Sequence, residues 1–216
     1  MKVTKLVHSC LLVERDGKKA LIDPGNFSWQ SGVIDHALLK DIDYVCITHV
    51  HPDHFDSTFV NVVHELSPNA LWYSTEEVVN ALDANGIKAH IVSKLSDVTF
   101  IDTDHANLDP WFSVQPQHTS FILFGELLVS GDHQEHKTMF GARIMAGAFS
   151  GGPWGSVIGT AKMLKDIQPR PQKYIPLHDW HLNQGARSAF YDRIKVLCDE
   201  WGIEFIRPED GVPVEL

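Results

Sequence analysis

The segment that most restricts this chain is "THVHPDHFD" (48–56), where three histidines and two aspartates follow directly on the apolar run "DYVCIT" (43–48). A buried strand that discharges into so many ionisable side chains needs something at its end to hold them. In extended backbone, residues two apart project to the same side. His49 and His51 therefore present their imidazoles together, and Pro52 biases His51 toward that extended form. Asp53 and His54 follow as the chain turns into a helical pattern and face a second point. One His-x-His pair and one Asp-His pair suit two cations of the Zn, Fe or Mn kind without a thiolate. The chain holds 13 histidines, yet composition alone yields this pattern in roughly 0.004 of such chains, so chance is a poor account of it. A helix cap alone needs Asp53 or Asp56, not three imidazoles.

The surrounding sequence reads as interleaved strands and helices. Apolar runs at 10–14 and 19–23 flank the hairpin signal Asp16-Gly17. A helix begins at Asp56 or Ser57, with Phe59, Val62, Val63 and Leu66 on one face, and stops before Pro68. A strand over 70–74 leads to a helix capped by Thr75 and closed by Gly86. Strands follow near 89–92 and 97–102, and a hairpin spans 120–132 with its turn at Gly125-Glu126. Residues 133–155 read as irregular, 156–167 as helix and 173–179 as strand. A helix capped by Asn183 follows, with the stripe Phe190, Ile194, Leu197 and Trp201, and "IEFIRP" reads as a last strand. Both halves predict sheet covered by helix, a layered α/β or α+β sandwich, and 216 residues suit one domain over 1–216.

Composition narrows the partners. A formal charge of −10 and no Lys/Arg cluster argue against nucleic acid. No stretch has the length of a membrane span, and the N-terminal segment has no signal-peptide cleavage pattern. Cys10, Cys46 and Cys198 are dispersed and read as buried hydrophobes in a reducing, cytoplasmic setting.

"THVHPDH" resembles the His-x-His-x-Asp-His signature of the metallo-β-lactamase-fold hydrolases. Other pieces fall in that family's order: "LIDPG" (21–25) resembles its early strand end, "SGDH" (130–133) the strand end with the bridging aspartate, and "IPLHD" (175–179) the late strand with the last histidine. "HSCLLVE" (8–14) resembles the lactonase-like and uncharacterised cytoplasmic branch. The resemblance implies a four-layer αββα sandwich of two mixed sheets with two divalent ions, Zn first and Fe or Mn as alternatives. His49, His51 and a third histidine would hold one ion; Asp53, His54 and His178 would hold the other; Asp132 would bridge them. His105 is the expected third histidine, with His118, in "QHTSF", as the alternative. The implied chemistry is hydrolysis of an ester, lactone or phosphodiester-type small molecule by a metal-activated hydroxide, with Asp53 orienting the nucleophile or carrying its proton.

Other residues join as candidates around such a site. Asp23 could fix a ligand tautomer, and His8, Trp154 and His181 could line a pocket. The stretch 139–155 could form a lid, and His133 and His136 read as exposed loop residues at least as readily as ligands. His133 departs from the family pattern, where Thr or Ser commonly follows the bridging aspartate. His36, His64 and His90 read as structural. Two rival readings keep the same ligands: a di-iron redox protein, and a metal-stabilised binding or sensor protein without turnover. "AFSGG" (148–152) misses the G-x-S-x-G nucleophile pattern at Ala148. A homo-oligomer stays open.

Overall fold

A computed structural model describes residues 1–91, 96–110, 113–134, 141–149 and 156–216. The chain divides into two compact units, residues 1–92 with 208–216, and residues 93–207. No described helix is long and apolar enough to cross a membrane.

The first unit is built on a mixed sheet. Strands β1 (Lys2–Val7), β2 (Cys10–Arg15) and β3 (Lys18–Ile22) form an antiparallel meander, and β4 (Tyr44–Cys46), β5 (Leu71–Ser74) and β6 (Ala89–Ile91) continue it in parallel from β3. A late strand, β13 (Pro213–Glu215), adds antiparallel to the β1 edge. The β2–β3 turn has positive φ at both Asp16 and Gly17, the backbone a tight hairpin of this twist requires. Short helix α1 (Asn26–Gln30) and a 3₁₀ turn (His36–Leu39) precede β4; α2 (Ser57–Leu66) and α3 (Glu76–Ala84) connect the parallel strands. The α2 cap is Asp56, whose carboxylate accepts from the Phe59 amide, and α3 is capped by Thr75. Phe59, Val60 and Val63 of α2 are buried with Leu6, Leu12, Leu21, Val45, Ile47 and Trp72 in one apolar core.

The second unit repeats that connectivity. Strands β7 (Val98–Asp102), β8 (Thr119–Leu123) and β9 (Leu127–Val129) form an antiparallel meander, after which β10 (Ile144–Ala148), β11 (Lys173–Leu177) and β12 (Glu204–Phe205) run parallel. Helices α4 (Val157–Asp166) and α5 (Gln184–Glu200) lie between the parallel strands in the chain. The expected hairpin turn sits one residue earlier, at Phe124-Gly125, which carry the positive φ values.

Two expectations change. The stretch 133–155 is not irregular throughout, because β10 is a fully buried central strand. Its small residues answer to crowding: a Cβ on Gly147 would stand 2.9 Å from Ser130 Oγ. This removes 144–148 from any lid. On α5 the buried residues are Tyr191, Ile194 and Cys198, with Phe190, Leu197 and Trp201 only flanking the core. The apolar stripe is therefore rotated from the expected one, because Tyr191 turns inward to bond Asp179.

Candidate functional site

In each unit the chemistry-bearing residues collect at one end of the sheet. In the first these are the loops after β1, β3 and β4; in the second, the loop between β7 and β8 and the loops after β9 and β11. Except for the β1–β2 and β7–β8 loops, these are carboxyl ends of strands in or adjoining the parallel part, where α/β sheets expose their functional groups.

The first unit organises its histidines around Asp23. This residue follows β3 in a left-handed conformation, φ 47, and its amide donates to the Cys46 carbonyl. The buried Asp23 carboxylate accepts from the Thr48 amide at 2.7 Å, the Thr48 hydroxyl at 2.9 Å and His54 Nδ1 at 2.7 Å. Burial pushes this carboxyl above the ordinary range, against the pull of His54 and the Thr48 hydrogen bonds. The Thr48 hydroxyl has one proton, and Asp23 takes it. At the 3.0 Å contact of Thr48 Oγ1 with His49 Nδ1, the imidazole must therefore donate. His49 and His54 thus both donate through Nδ1, and in their neutral forms both keep a lone pair on Nε2.

Those Nε2 atoms face further groups able to bind a cation. His49 Nε2 stands 3.0 Å from His51 Nδ1, so the His-x-His pair converges as its spacing predicts. His54 Nε2 stands 3.7 Å from Asp53 Oδ2. His8 Nε2 lies 3.1 Å from the same oxygen, and the ligand atoms of His8, Asp53 and His54 are all within 4.8 Å of one another. His8 is buried in the β1–β2 turn at φ 57, with the Phe27 ring edge-on at 4.9 Å. Asp23, expected as a support for a ligand imidazole, holds His54.

Gly25 brings these pieces together. A Cβ there would lie 1.9 Å from the Asp53 carbonyl oxygen and 2.7 Å from the His54 nitrogen. Only a residue without a side chain lets the Asp23-Pro24-Gly25 turn lie against the histidine loop. Two hydrogen bonds fasten the two segments, Asn26 N–H to the Pro52 carbonyl and Asp56 N–H to the Pro24 carbonyl.

In the second unit the centre is Asp132, buried just past β9. Its Oδ2 stands 3.4 Å from His105 Nε2 and 3.4 Å from His178 Nε2. His105 Nδ1 donates to the Ala106 carbonyl at 2.7 Å, so neutral His105 also keeps its lone pair on Nε2. The loop is tied back by the Ala106 amide donating to the Asp132 carbonyl. His178 is buried at φ 64; the next residue, Asp179, accepts from the Tyr191 hydroxyl and has Arg187 Nε at 4.0 Å. His118, the alternative third histidine, is placed differently: its Nε2 accepts from the Asp132 amide at 3.1 Å and its Nδ1 faces Thr103 Oγ1 at 2.9 Å. His133 is buried, not exposed, because Nδ1 donates to the Asp104 carbonyl at 2.6 Å. His181 is solvent-exposed, its ring 5.8 Å from that of His178. Trp154 and His136 lie outside the described residues. Thr48, Thr103 and Ser120 escaped the sequence reading, since a hydroxyl before a histidine or inside a strand carries no signal of what it will orient.

These donor sets fit a divalent cation. Two donors bound to one zinc at about 2.0–2.1 Å stand about 3.3 Å apart in a tetrahedral shell. The pairs His49/His51, Asp53/His54, Asp132/His105 and Asp132/His178 lie 3.0, 3.7, 3.4 and 3.4 Å apart. A neutral imidazole lone pair aimed at a carboxylate oxygen is repulsive by itself, and a shared cation turns the pair into a chelate.

Comparison with known proteins agrees with this chemistry. A protein called Rv0786c from Mycobacterium tuberculosis is 24% identical over 211 residues, covering 90% of this chain and 91% of that protein. A UPF0173 metal-dependent hydrolase from Alkaliphilus metalliredigens is 35% identical over 92 residues, 42% of this chain and 38% of that one. The solved structure of Igni18, a metallo hydrolase from the archaeon Ignicoccus hospitalis, superposes with a TM-score of 0.70 at 18% identity, covering 100% of this chain and 98% of that one. That likeness supports the expected fold class, α/β with two mixed sheets. The family model described as the metallo-beta-lactamase superfamily matches residues 3–120. With more than half its length matched, and with the His-x-His-x-Asp-His loop inside the match, the chain belongs to the metallo-β-lactamase superfamily.

Proposed function

We propose that this protein is a hydrolase that works with two divalent ions, zinc first among them, on a small ester, lactone or phosphodiester. His49, His51 and His105 would serve one ion, Asp53, His54 and His178 the other, and Asp132 both. The observation that carries the reading is the set of imidazole nitrogens held against carboxylate oxygens: His54 Nε2 at 3.7 Å from Asp53, and His105 Nε2 and His178 Nε2 each at 3.4 Å from Asp132. The metal-dependent hydrolase named among the relatives supports it. Bound divalent ions supply Lewis acidity and lower the pKa of a coordinated water to about 7.

The protein's own residues do the rest. Asp23, through Thr48 and directly, holds His49 and His54 as Nδ1 donors, so that Nε2 of each would be the atom offered to a metal. His8 steadies Asp53 at Oδ2, and the Asp53 carboxylate is the group that would orient the attacking water and receive its proton. His105 is favoured over His118 as the third ligand because its Nε2 faces the Asp132 carboxylate, whereas the His118 lone pair is taken by a main-chain amide.

The test is metal analysis of natively purified protein, anomalous scattering at the named side chains, and a screen of ester, lactone, phosphodiester and thioester substrates. Two metal equivalents and turnover lost in Asp132→Ala are expected. Dominant iron with electron-transfer activity, or fully loaded protein silent on every substrate class, would overturn the hydrolase.

A further inference from the structure

His118 is a buried histidine for which the proposed metal chemistry has no use, and its surroundings dictate where its proton sits. The relay of protons starts at a carbonyl. Ser120 Oγ donates to the Ser130 carbonyl at 3.0 Å, which uses the only hydroxyl proton of Ser120. At the 3.1 Å contact between Thr103 Oγ1 and Ser120 Oγ, Thr103 must therefore be the donor. With the Thr103 proton spent, the 2.9 Å contact with His118 Nδ1 requires Nδ1–H to donate. The remaining nitrogen, Nε2, then carries the lone pair, and it accepts the Asp132 amide at 3.1 Å. Every step has one allowed direction, and both ends of the relay land on one turn, residues 130–132, where Gly131 lies at φ 54.

We propose that His118 is a positioning residue: a neutral imidazole, locked with its proton on Nδ1, that holds the main chain of Asp132 so that the carboxylate is presented to its ligand partners. This rests on the proposed function in taking Asp132 as a metal ligand. The turn is otherwise secured by the His133 amide donating to Ser130 O and the Ala106 amide to Asp132 O. The Asp132 amide itself is tied to His118. Moving the proton to Nε2 would set an N–H against the Asp132 N–H and leave Nδ1 facing a hydroxyl whose proton is committed to Ser120. The arrangement therefore tolerates one tautomer, and that tautomer cannot also offer Nε2 to an ion.

Side-chain nitrogen NMR of the wild-type protein tests the core statement, with the His118→Gln variant serving only to assign the resonance. The resonance that disappears in His118→Gln should report a neutral ring protonated at Nδ1, in the chelator-stripped protein and again after zinc is added. A ring protonated at Nε2, a doubly protonated ring, or a zinc-induced change characteristic of coordination would overturn the proposal. Zinc affinity by chelator competition tests the consequence. Gln can both accept from Asp132 and donate to Thr103, so His118→Gln should bind zinc within about threefold of wild type. His118→Phe should lose roughly 10–100-fold at one site, the range typical of groups that orient a ligand. Thr103→Val, which removes the relay's middle hydroxyl in an isosteric frame, should leave Nδ1–H without its acceptor, loosen the ring's hold on Asp132 and weaken zinc in the same direction, and it serves if His118→Phe does not fold. Equal zinc loss in the Gln and Phe variants, or no loss in Phe, would refute the positioning role. Wild-type protein that takes up no zinc would instead refute the proposed function, and the tautomer measurement would still decide the role of His118.

Discussion

Replacing Gly25 with alanine isolates the close approach that brings the Asp23 turn against the histidine loop of the first unit. Gly25 has φ −94 and ψ 169, ordinary extended backbone, so alanine meets no conformational penalty there. By stiffening the unfolded chain alone, the substitution would stabilise by about 0.4–1 kcal/mol. The new methyl, however, would lie 1.9 Å from the Asp53 oxygen, 2.1 Å from its carbonyl carbon and 2.7 Å from the His54 nitrogen, all main-chain atoms, where ordinary contact begins at 3.4 Å. Relief requires the two segments to part by about 1.5 Å, a shift that a packed core resists at about 1–3 kcal/mol. It also breaks the Asn26–Pro52 and Asp56–Pro24 hydrogen bonds, now 2.8 and 3.0 Å long, each contributing about 1 kcal/mol. Net destabilisation of about 2–4 kcal/mol lowers Tm by roughly 4–16 °C for a chain of this size. Circular dichroism melts of chelator-treated Gly25→Ala and wild type measure it, and zinc competition on the same samples should show weaker binding because Asp53 and His54 move. A variant that melts with the wild type and binds zinc equally would show that the turn and the histidine loop are not in contact.

Three further outcomes follow from the same geometry. Asp23→Asn places an amide donor among groups that already donate, Thr48 N–H, Thr48 O–H and His54 Nδ1–H; zinc affinity should fall roughly 10–100-fold, and unchanged affinity in chelator competition would remove Asp23 from the site. All three thiols are buried; burial raises Cys10 and Cys46 far above the ordinary range and, with the charge of Asp199, pushes Cys198 up to about 12. An aromatic disulfide reagent at pH 8 should therefore label the protein only as fast as it unfolds, and rapid stoichiometric labelling would contradict that burial. Asp43 is held below the ordinary carboxylate range: burial raises it, but hydrogen bonds from Lys18 Nζ at 2.7 Å and the Lys19 amide at 2.9 Å outweigh burial. Its contribution is present above the unfolded pKa of about 3.9 and is lost as pH falls through the lower folded value. Asp43→Asn should thus be less stable than wild type at pH 7 and equal to it near pH 2, and a difference that persists in acid would refute the assignment.

Much of the architecture was legible because it is local. Hairpin residues Asp16-Gly17, the caps Asp56, Thr75 and Asn183, and the His-x-His convergence depend on neighbours within a few positions, and each stands as read. Strand β10 escaped because "IMAGA" is short, apolar and small, a pattern that periodicity alone does not separate from a loop. Its small residues make sense only beside Ser130 and Tyr174, which come from neighbouring strands. The inward face of α5 was misjudged for the same reason: Tyr191 is drawn in by Asp179, at the end of β11.

By itself, the sequence determined which donors are available, in what order they occur, and that those gathered at 48–56 are imidazoles and carboxylates rather than thiolates. Only the tertiary structure set His105 and His118 apart, and it did so through protons: His105 Nε2 faces the Asp132 carboxylate, whereas His118 Nε2 accepts the Asp132 amide. A histidine's role depends on which nitrogen keeps its lone pair, and that is set by the group its other nitrogen meets. For His105 that group is the next carbonyl in the chain. For His118 it is Thr103, fifteen positions away and backed by Ser120 and Ser130, partners that no linear pattern places beside it.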